Sequence, residues 1–167
     1  MRARWLLALL LLGCHPKARW DPVANQLCRG KACYRVGELD SSWQLVHREG
    51  AAIGFYSAQT GGVIEANATC RDDADAAPLD VLTHHLLIGY TDRKVLEQRS
   101  VELARRQALH TRVAARLDGV PVLLDLYVLK RNGCIFDLSY AAPPARAAEG
   151  EPAFSRFVSG FVDERSS

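Results

Sequence analysis

Residues 109–140 read LHTRVAARLDGVPVLLDLYVLKRNGCIFDLSY, and the two turns inside that stretch decide the fold. Val95 to Arg116 is rich in helix formers, and Leu109, Val113 and Leu117 stand at i, i+4 spacing. The same residues also alternate, with Leu109, Thr111, Val113, Ala115 and Leu117 on one side and His110, Arg112, Ala114 and Arg116 on the other. A helix over 94–116 and a strand are both open until Asp118-Gly119 is reached. A two-residue type I′ turn needs positive φ at both central positions, which Asp-Gly provides. Beyond it Val122, Leu124, Leu126 and Val128 alternate with Leu123, Asp125, Tyr127 and Leu129. Arg131-Asn132-Gly133 then turns the chain into Cys134 to Tyr140. Runs of period two joined by tight turns predict an antiparallel meander rather than a helix.

Upstream, Trp43 to Arg48 and Ala52 to Ala58 read as strands, and Gln59-Thr60-Gly61-Gly62 is a turn cluster. In Val63 to Cys70, Ile64, Ala66, Ala68 and Cys70 share one face, while Glu65, Asn67 and Thr69 share the other. That is the pattern of a half-buried strand. Pro78 suits the first turn of a helix, and Leu79, Leu82, Leu86 and Leu87 at helical spacing with Gly89 beyond predict a helix over 79–88. Downstream, Ala141 to Pro152 holds three prolines and reads as a loop. Phe154, Phe157, Val158 and Phe161 form one stripe of a closing helix over 153–162.

The N-terminus reads as an address. Met1 to Arg4 is basic, and Trp5 to Leu12 is an unbroken apolar run of eight. A membrane span needs about 20 apolar residues, so this run fits a secretory signal instead. It ends in Leu11-Leu12-Gly13-Cys14, which resembles the bacterial lipoprotein box. The resemblance implies cleavage between Gly13 and Cys14, with Cys14 as the lipidated residue. His15, where aspartate would imply inner-membrane retention in enteric bacteria, leans the expected location to the outer membrane, facing the periplasm. One acyl chain holds a protein only marginally, whereas two or more hold it stably. The expected organisation is a signal peptide at 1–13, a lipidated cysteine and polar tether at 14–33, one domain at 34–162 and a frayed tail at 163–167.

Cysteine usage agrees with export. Without Cys14 the chain keeps Cys28, Cys33, Cys70 and Cys134, an even number that permits two disulfides. Cys28 and Cys33 are close enough in sequence to close a small loop. Cys70 ends one strand-like run and Cys134 opens another, so Cys28–Cys33 and Cys70–Cys134 is the expected connectivity. The spacing lacks the paired close cysteines of a zinc site.

The C-terminal half resembles the PsbP/Mog-like group. The likeness rests on the hairpin Leu117-Asp118-Gly119-Val120, the strand Gly133 to Leu138 and the helix carrying Phe154, Phe157, Val158 and Phe161, and extends over about residues 40–162. It implies an α+β fold in which an antiparallel β-sheet is flanked by helices, an αβα sandwich. That group shares a scaffold without sharing an activity, so no site residues follow from it.

Chemistry is sparse. The chain lacks a G-x-S-x-G elbow, a phosphate-cradling glycine loop and an H-E-x-x-H pair. His84 and His85 are adjacent, so on a helix they diverge; Asp80 stands four residues before His84 and reads as its surface partner. Asp137 lies among apolar neighbours, where burial is costly without a partner, and an arginine on the next strand is the expected one. Cys70 with His110 is a conceivable nucleophile pair, though an exported cysteine is more readily oxidised. Arg99, Arg105, Arg106, Arg112 and Arg116 lack interleaved aromatics and read as a solvated sheet edge. Of 21 Lys and Arg, Arg2 and Arg4 lie in the signal, leaving 19 against 19 Asp and Glu and no net field to gather nucleic acid. The expected protein is a non-enzymatic lipoprotein with no cofactor or metal. It is held to the membrane by its anchor and binds an envelope protein or ligand. A small-ligand or lipid carrier is the alternative, and an envelope enzyme a more distant one.

Overall fold

Asp118 and Gly119 take φ of 49° and 80°, and Asn132 and Gly133 take 53° and 70°. Both predicted turns therefore form with the positive φ they require. The structure, a computed structural model, describes residues 18–74 and 76–164; the expected signal segment with Gly13 and Cys14 lies outside the described residues. In chain order the elements are β1 (Arg19–Asp21), β2 (Gln26–Arg29), β3 (Ala32–Arg35), β4 (Gln44–Glu49), β5 (Ala52–Ser57), β6 (Gly62–Cys70), α1 (Leu79–Leu86), β7 (Tyr90–Leu103), β8 (Arg106–Leu117), β9 (Val120–Arg131), β10 (Cys134–Ala142), α2 (Ala147–Ser159) and β11 (Val162–Asp163).

The segment 94–116 is strand, split between β7 and β8 by a turn at Ala104-Arg105 with φ of 50° and 59°. Neither residue is Gly, Asn or Asp, which is why the sequence does not announce this turn. A seven-stranded antiparallel sheet results, in the order β4-β5-β6-β10-β9-β8-β7. Its two faces differ. One packs against α2 and a four-stranded sheet of order β1-β2-β3-β11. Here Ile64, Phe136, Leu138, Tyr140, Phe154 and Phe157 are buried together. The other face carries α1, whose Leu82 and Leu87 lie over Val113, Leu124, Leu126, Val128 and Ile135.

The small sheet corrects the tether reading. Residues 19–33, expected as polar and irregular, supply β1, β2 and the start of β3. Leu27 and Tyr34 are fully buried, and Trp20 meets the edge of Phe55 with ring centroids 6.1 Å apart. The apolar residues are too few and the strands too short to show a period, so only the tertiary contacts reveal them. Tyr34 anchors the layer: its hydroxyl lies 2.7 Å from the Ala51 carbonyl oxygen and 3.0 Å from that of Ala66. Burial drives its pKa well above the ordinary tyrosine range.

The tail is corrected likewise at its start. Asp163, expected to fray, is fully buried in β11; it accepts a hydrogen bond of 2.8 Å from Asn132 Nδ2 and lies 3.4 Å from Arg131 Nε. Arg131 also donates to the Ala104 carbonyl at 2.8 Å, so the end of the chain is lashed to two hairpin turns. Residues 165–167 lie outside the described residues. The closing helix runs over Ala147–Ser159 rather than 153–162, taking in the second half of the expected loop. Ala147, Gly150 and Ala153 are buried and extend the stripe backwards. Pro152 sits exposed, where the missing N–H leaves only the carbonyl of exposed Ala148 without its helical donor. The earlier helix ends at Leu86, two residues short of expectation.

The α2 face closes on a glycine contact. The Gly37 amide donates to the Phe157 carbonyl at 2.9 Å, and a Cβ on Gly37 would stand 1.9 Å from the Arg156 carbonyl oxygen. Nothing there is a side-chain end that can swing aside. Gly37→Ala is therefore expected to cost about 2–3 kcal/mol through forced backbone separation. A urea titration should show a lower midpoint with an unchanged slope; an unshifted midpoint would show that helix and strand part freely.

Both disulfides are present, Cys28–Cys33 and Cys70–Cys134. Each joins residues directly opposite in an antiparallel pair, the first across β2 and β3, the second across β6 and β10.

Candidate functional site

The period-two alternation puts polar residues on both faces of the large sheet, and two groups of them are drawn inside. On the α2 face, His110 of β8 is 5% exposed and stacks on Tyr127, with ring centroids 4.4 Å apart. Its Nε2 lies 2.6 Å from Asp125 Oδ1 on β9. Asp125 Oδ2 stands 3.7 Å from Arg112 Nε, and Arg112 passes the chain on to Glu151 of α2 through a short hydrogen bond. Four charged or polar groups thus clamp helix to sheet. His110 Nδ1 is buried with no hydrogen-bond partner among the described residues. Cys70, the nucleophile considered for His110, is held in its disulfide and cannot attack. The clamp also takes Arg112 out of the expected solvated edge; Arg99, Arg105, Arg106 and Arg116 remain exposed, with Arg99 paired to Glu97 and Arg116 to Asp92.

The second group lies on the α1 face. The helix covers β8 and β9 and leaves a cleft along β6 and β10. Asn67 and Asp137 face each other in the β6–β10 register and form its floor. Leu82 and Leu86 from α1 make one wall, with Val128 and Ile135 opposite, while Arg71 and His85 stand at the rim. The cavity is about 180 Å³. Asn67 Nδ2 donates to Asp137 Oδ1 at 3.3 Å, so an amide fills the role expected of an arginine. The reason is register. β9 places Val128 opposite Asp137, and the nearby cations are committed elsewhere: Lys130 donates to the Ala77 carbonyl at 2.9 Å, and Arg71 pairs with Asp73 at 2.9 Å.

Burial therefore acts on Asp137 without a compensating positive charge. It pushes the carboxyl up to about 7, against the lowering effect of the Asn67 hydrogen bond, and Glu65 next along β6 pushes the same way. Glu65 is itself raised by burial, with His47 working against the rise. Tyr90 is raised by burial and by Glu65. The α1 face thus carries carboxyls that the chain leaves short of cations. A carboxyl near neutrality in a cleft with apolar walls can accept a cationic ligand or pass a proton.

His84 and Asp80 both line a separate recess with Arg93 and Thr83, and His85 lines the cleft instead. The adjacent histidines diverge, as helical geometry requires. Among the described residues no group of three His, Cys, Asp or Glu stands close enough to hold a metal ion. Of the cleft residues the sequence singled out Asp137 and His85; Asn67, like nearby Glu65, was visible only as the polar side of an alternating strand.

No family model matches the chain, and no curated protein matches it in sequence. Solved structures do match in fold. LpqN of Mycobacterium tuberculosis, described as involved in cell envelope biogenesis, superposes with a TM-score of 0.57 at 11% identity, covering 80% of this chain and 85% of that one. The PsbP protein of the cyanobacterium Synechocystis gives 0.53 at 10% identity, over 90% and 94%. A Pseudomonas aeruginosa protein of unknown function gives 0.54 at 13%, over 69% and 92%. The fold is PsbP-like: α+β, with antiparallel sheet between helices.

Proposed function

We propose that this protein is a lipid-anchored component of a bacterial cell envelope, held to the outer membrane through Cys14 and facing the periplasm. It acts as a non-enzymatic binding or assembly module. The observation that carries the reading is the inequality of the two sheet faces. One is packed shut by α2 and the small sheet, while the other keeps an open cleft with polar floor and apolar walls. Sites of that composition are where proteins take ligands. The signal segment with its lipoprotein box supports the anchor, the two disulfides suit an oxidising compartment, and LpqN offers a fold neighbour described in envelope biogenesis.

A carrier of small apolar ligands is the second reading. It is favoured by a groove of about 350 Å³ lined by Val63, Leu117, Val120, Val122 and Ala141 at the β8–β9 turn. Both readings place the working surface on the α1 side of the sheet.

Two experiments test the proposal. Cys14→Ala expressed in a Gram-negative host is expected to move the protein from the membrane to the soluble fraction; unchanged fractionation overturns the anchor. A photo-crosslinker placed at Ser139, on the α1 face, is expected to capture an envelope component in intact cells. The same group at Arg99, on the other face, should give much less. Equal capture from both sides overturns the assignment of the binding face.

A further inference from the structure

The cleft under α1 can be assigned a ligand class from its own chemistry, an inference that rests on its being the binding site. Its polar lining sets the Asp137 carboxyl beside the Asn67 amide and the Thr69 hydroxyl, and the cation there, Arg71, is paired with Asp73. Asp137 contributes two carboxyl oxygens, of which only Oδ1 receives a hydrogen bond, from Asn67. The other has no donor among the described residues and belongs to a side chain lining the cavity. His85, at the rim, adds an imidazole that accepts when neutral. Glu65 adds a second carboxyl close enough to disfavour ionisation of the first. A carboxylate in an apolar surrounding is costly without a counter-charge, and the chain provides an amide where a cation would serve. Above that floor the walls are Leu82, Leu86, Val128 and Ile135, which receive methylene groups and nothing polar. The space is about 180 Å³, the share of roughly six water molecules. That is smaller than the pockets that bury drug-sized ligands.

We propose that this cleft binds a small organic cation, a primary ammonium group on a short alkyl chain, with the ammonium on Asp137 and the chain between α1 and β10. An ammonium has three donors, enough for the open oxygen of Asp137 and for the His85 ring. The alkyl part displaces water from the four apolar walls. Anionic ligands are repelled by Asp137 and Glu65, and neutral ones leave the carboxyl without its counter-charge.

The ligand also couples binding to pH. The groups facing Asp137 are Glu65 and Asn67 from β6, Arg71 just beyond it, His85 from α1, and Tyr34 from across the sheet. With the carboxyl titrating at about 7, its ionised fraction rises about tenfold between roughly pH 6 and pH 8, and ammonium affinity is expected to rise with it.

The test uses three probes of similar shape: n-butylammonium, n-butanol and butyrate, titrated into the folded domain and followed by NMR. Butylammonium is expected to give saturable shifts at the Asn67 side-chain amide and the Val128 and Ile135 methyls. Butanol should bind at least tenfold more weakly, and butyrate should cause no shift there. Asp137→Asn should lose the preference for ammonium over alcohol while keeping a native spectrum. Equal binding of ammonium and alcohol overturns the charge assignment and leaves the cleft as an apolar binding site. Shifts scattered over exposed carboxylates and erased by moderate salt overturn it too. No saturable binding by any probe removes the cleft from the proposed function as well.

Discussion

Replacing Cys70 and Cys134 together by Ala should lower the stability of the folded domain by about 4 kcal/mol and its thermal midpoint by roughly 8–16 °C. The bridge spans a sequence separation of 64, so it removes a large share of the unfolded chain's freedom. Loop-closure entropy for that length accounts for the figure. The position matters as much as the length. Cys134 is fully buried and opens β10, and Cys70 closes β6 directly opposite it. The crosslink therefore fixes the register of the pair that carries Asn67 and Asp137. A one-residue slip there would send Asp137 to the α2 face and Phe136 or Leu138 to the cleft. Calorimetry of oxidised wild type and the double variant measures the difference. Matching midpoints would show that the bridge forms without constraining the unfolded ensemble. The Cys28–Cys33 bridge closes a separation of only 5, and its removal should cost less.

Asp137→Asn is expected to act in the opposite direction, with a difference that opens as pH rises from about 4 to about 7. The carboxyl titrates at about 7 in the folded domain against 3.8 as its ordinary value. Between those limits the folded state holds a proton that the unfolded state has released. Stability therefore falls as pH rises from about 4 through about 7, and the loss is complete above that window. The amide has no charge to desolvate and can still accept from Asn67. The variant should be more stable than wild type by about 2–4 kcal/mol near pH 8, or roughly 4–16 °C in midpoint, with the difference shrinking steadily below about pH 7 and vanishing near about pH 4. Thermal melts of both proteins across that range check the sign. Parallel curves would mean that Asp137 is paired or solvated enough to ionise freely. A residue that lowers stability at neutral pH, on the floor of an open cleft, is the pattern of a group kept for binding rather than for folding.

The sequence was informative where local chemistry leaves no choice. Asp118-Gly119 and Asn132-Gly133 have few conformations open to them other than hairpin turns, and Leu79 to Leu86 repeats at helical spacing. The Cys70–Cys134 pair follows from where its strands end and begin, and Cys28–Cys33 from closeness in sequence. It was silent at Ala104-Arg105, because that turn is forced by the pairing of β7 with β8 and not by its own residues. It misassigned residues 19–33 and 163 for a related reason. Short polar strands gain little by themselves and form only where Tyr34, Leu27 and Asp163 find a prebuilt core.

The candidate site divides the same way. Alternation placed Glu65, Asn67 and Asp137 on strand faces, and the apolar neighbours of Asp137 marked it as unusual. Which strands lie side by side, which side α1 covers, and where each cation is spent are properties of the assembled sheet. The fold class and the turns at Asp118-Gly119 and Asn132-Gly133 could be read from the chain because each depends on residues a few positions apart. The partner of Asp137 and the shape of the cleft depend on residues about 70 apart, whose meeting is fixed only when the hydrophobic faces of the sheet are buried.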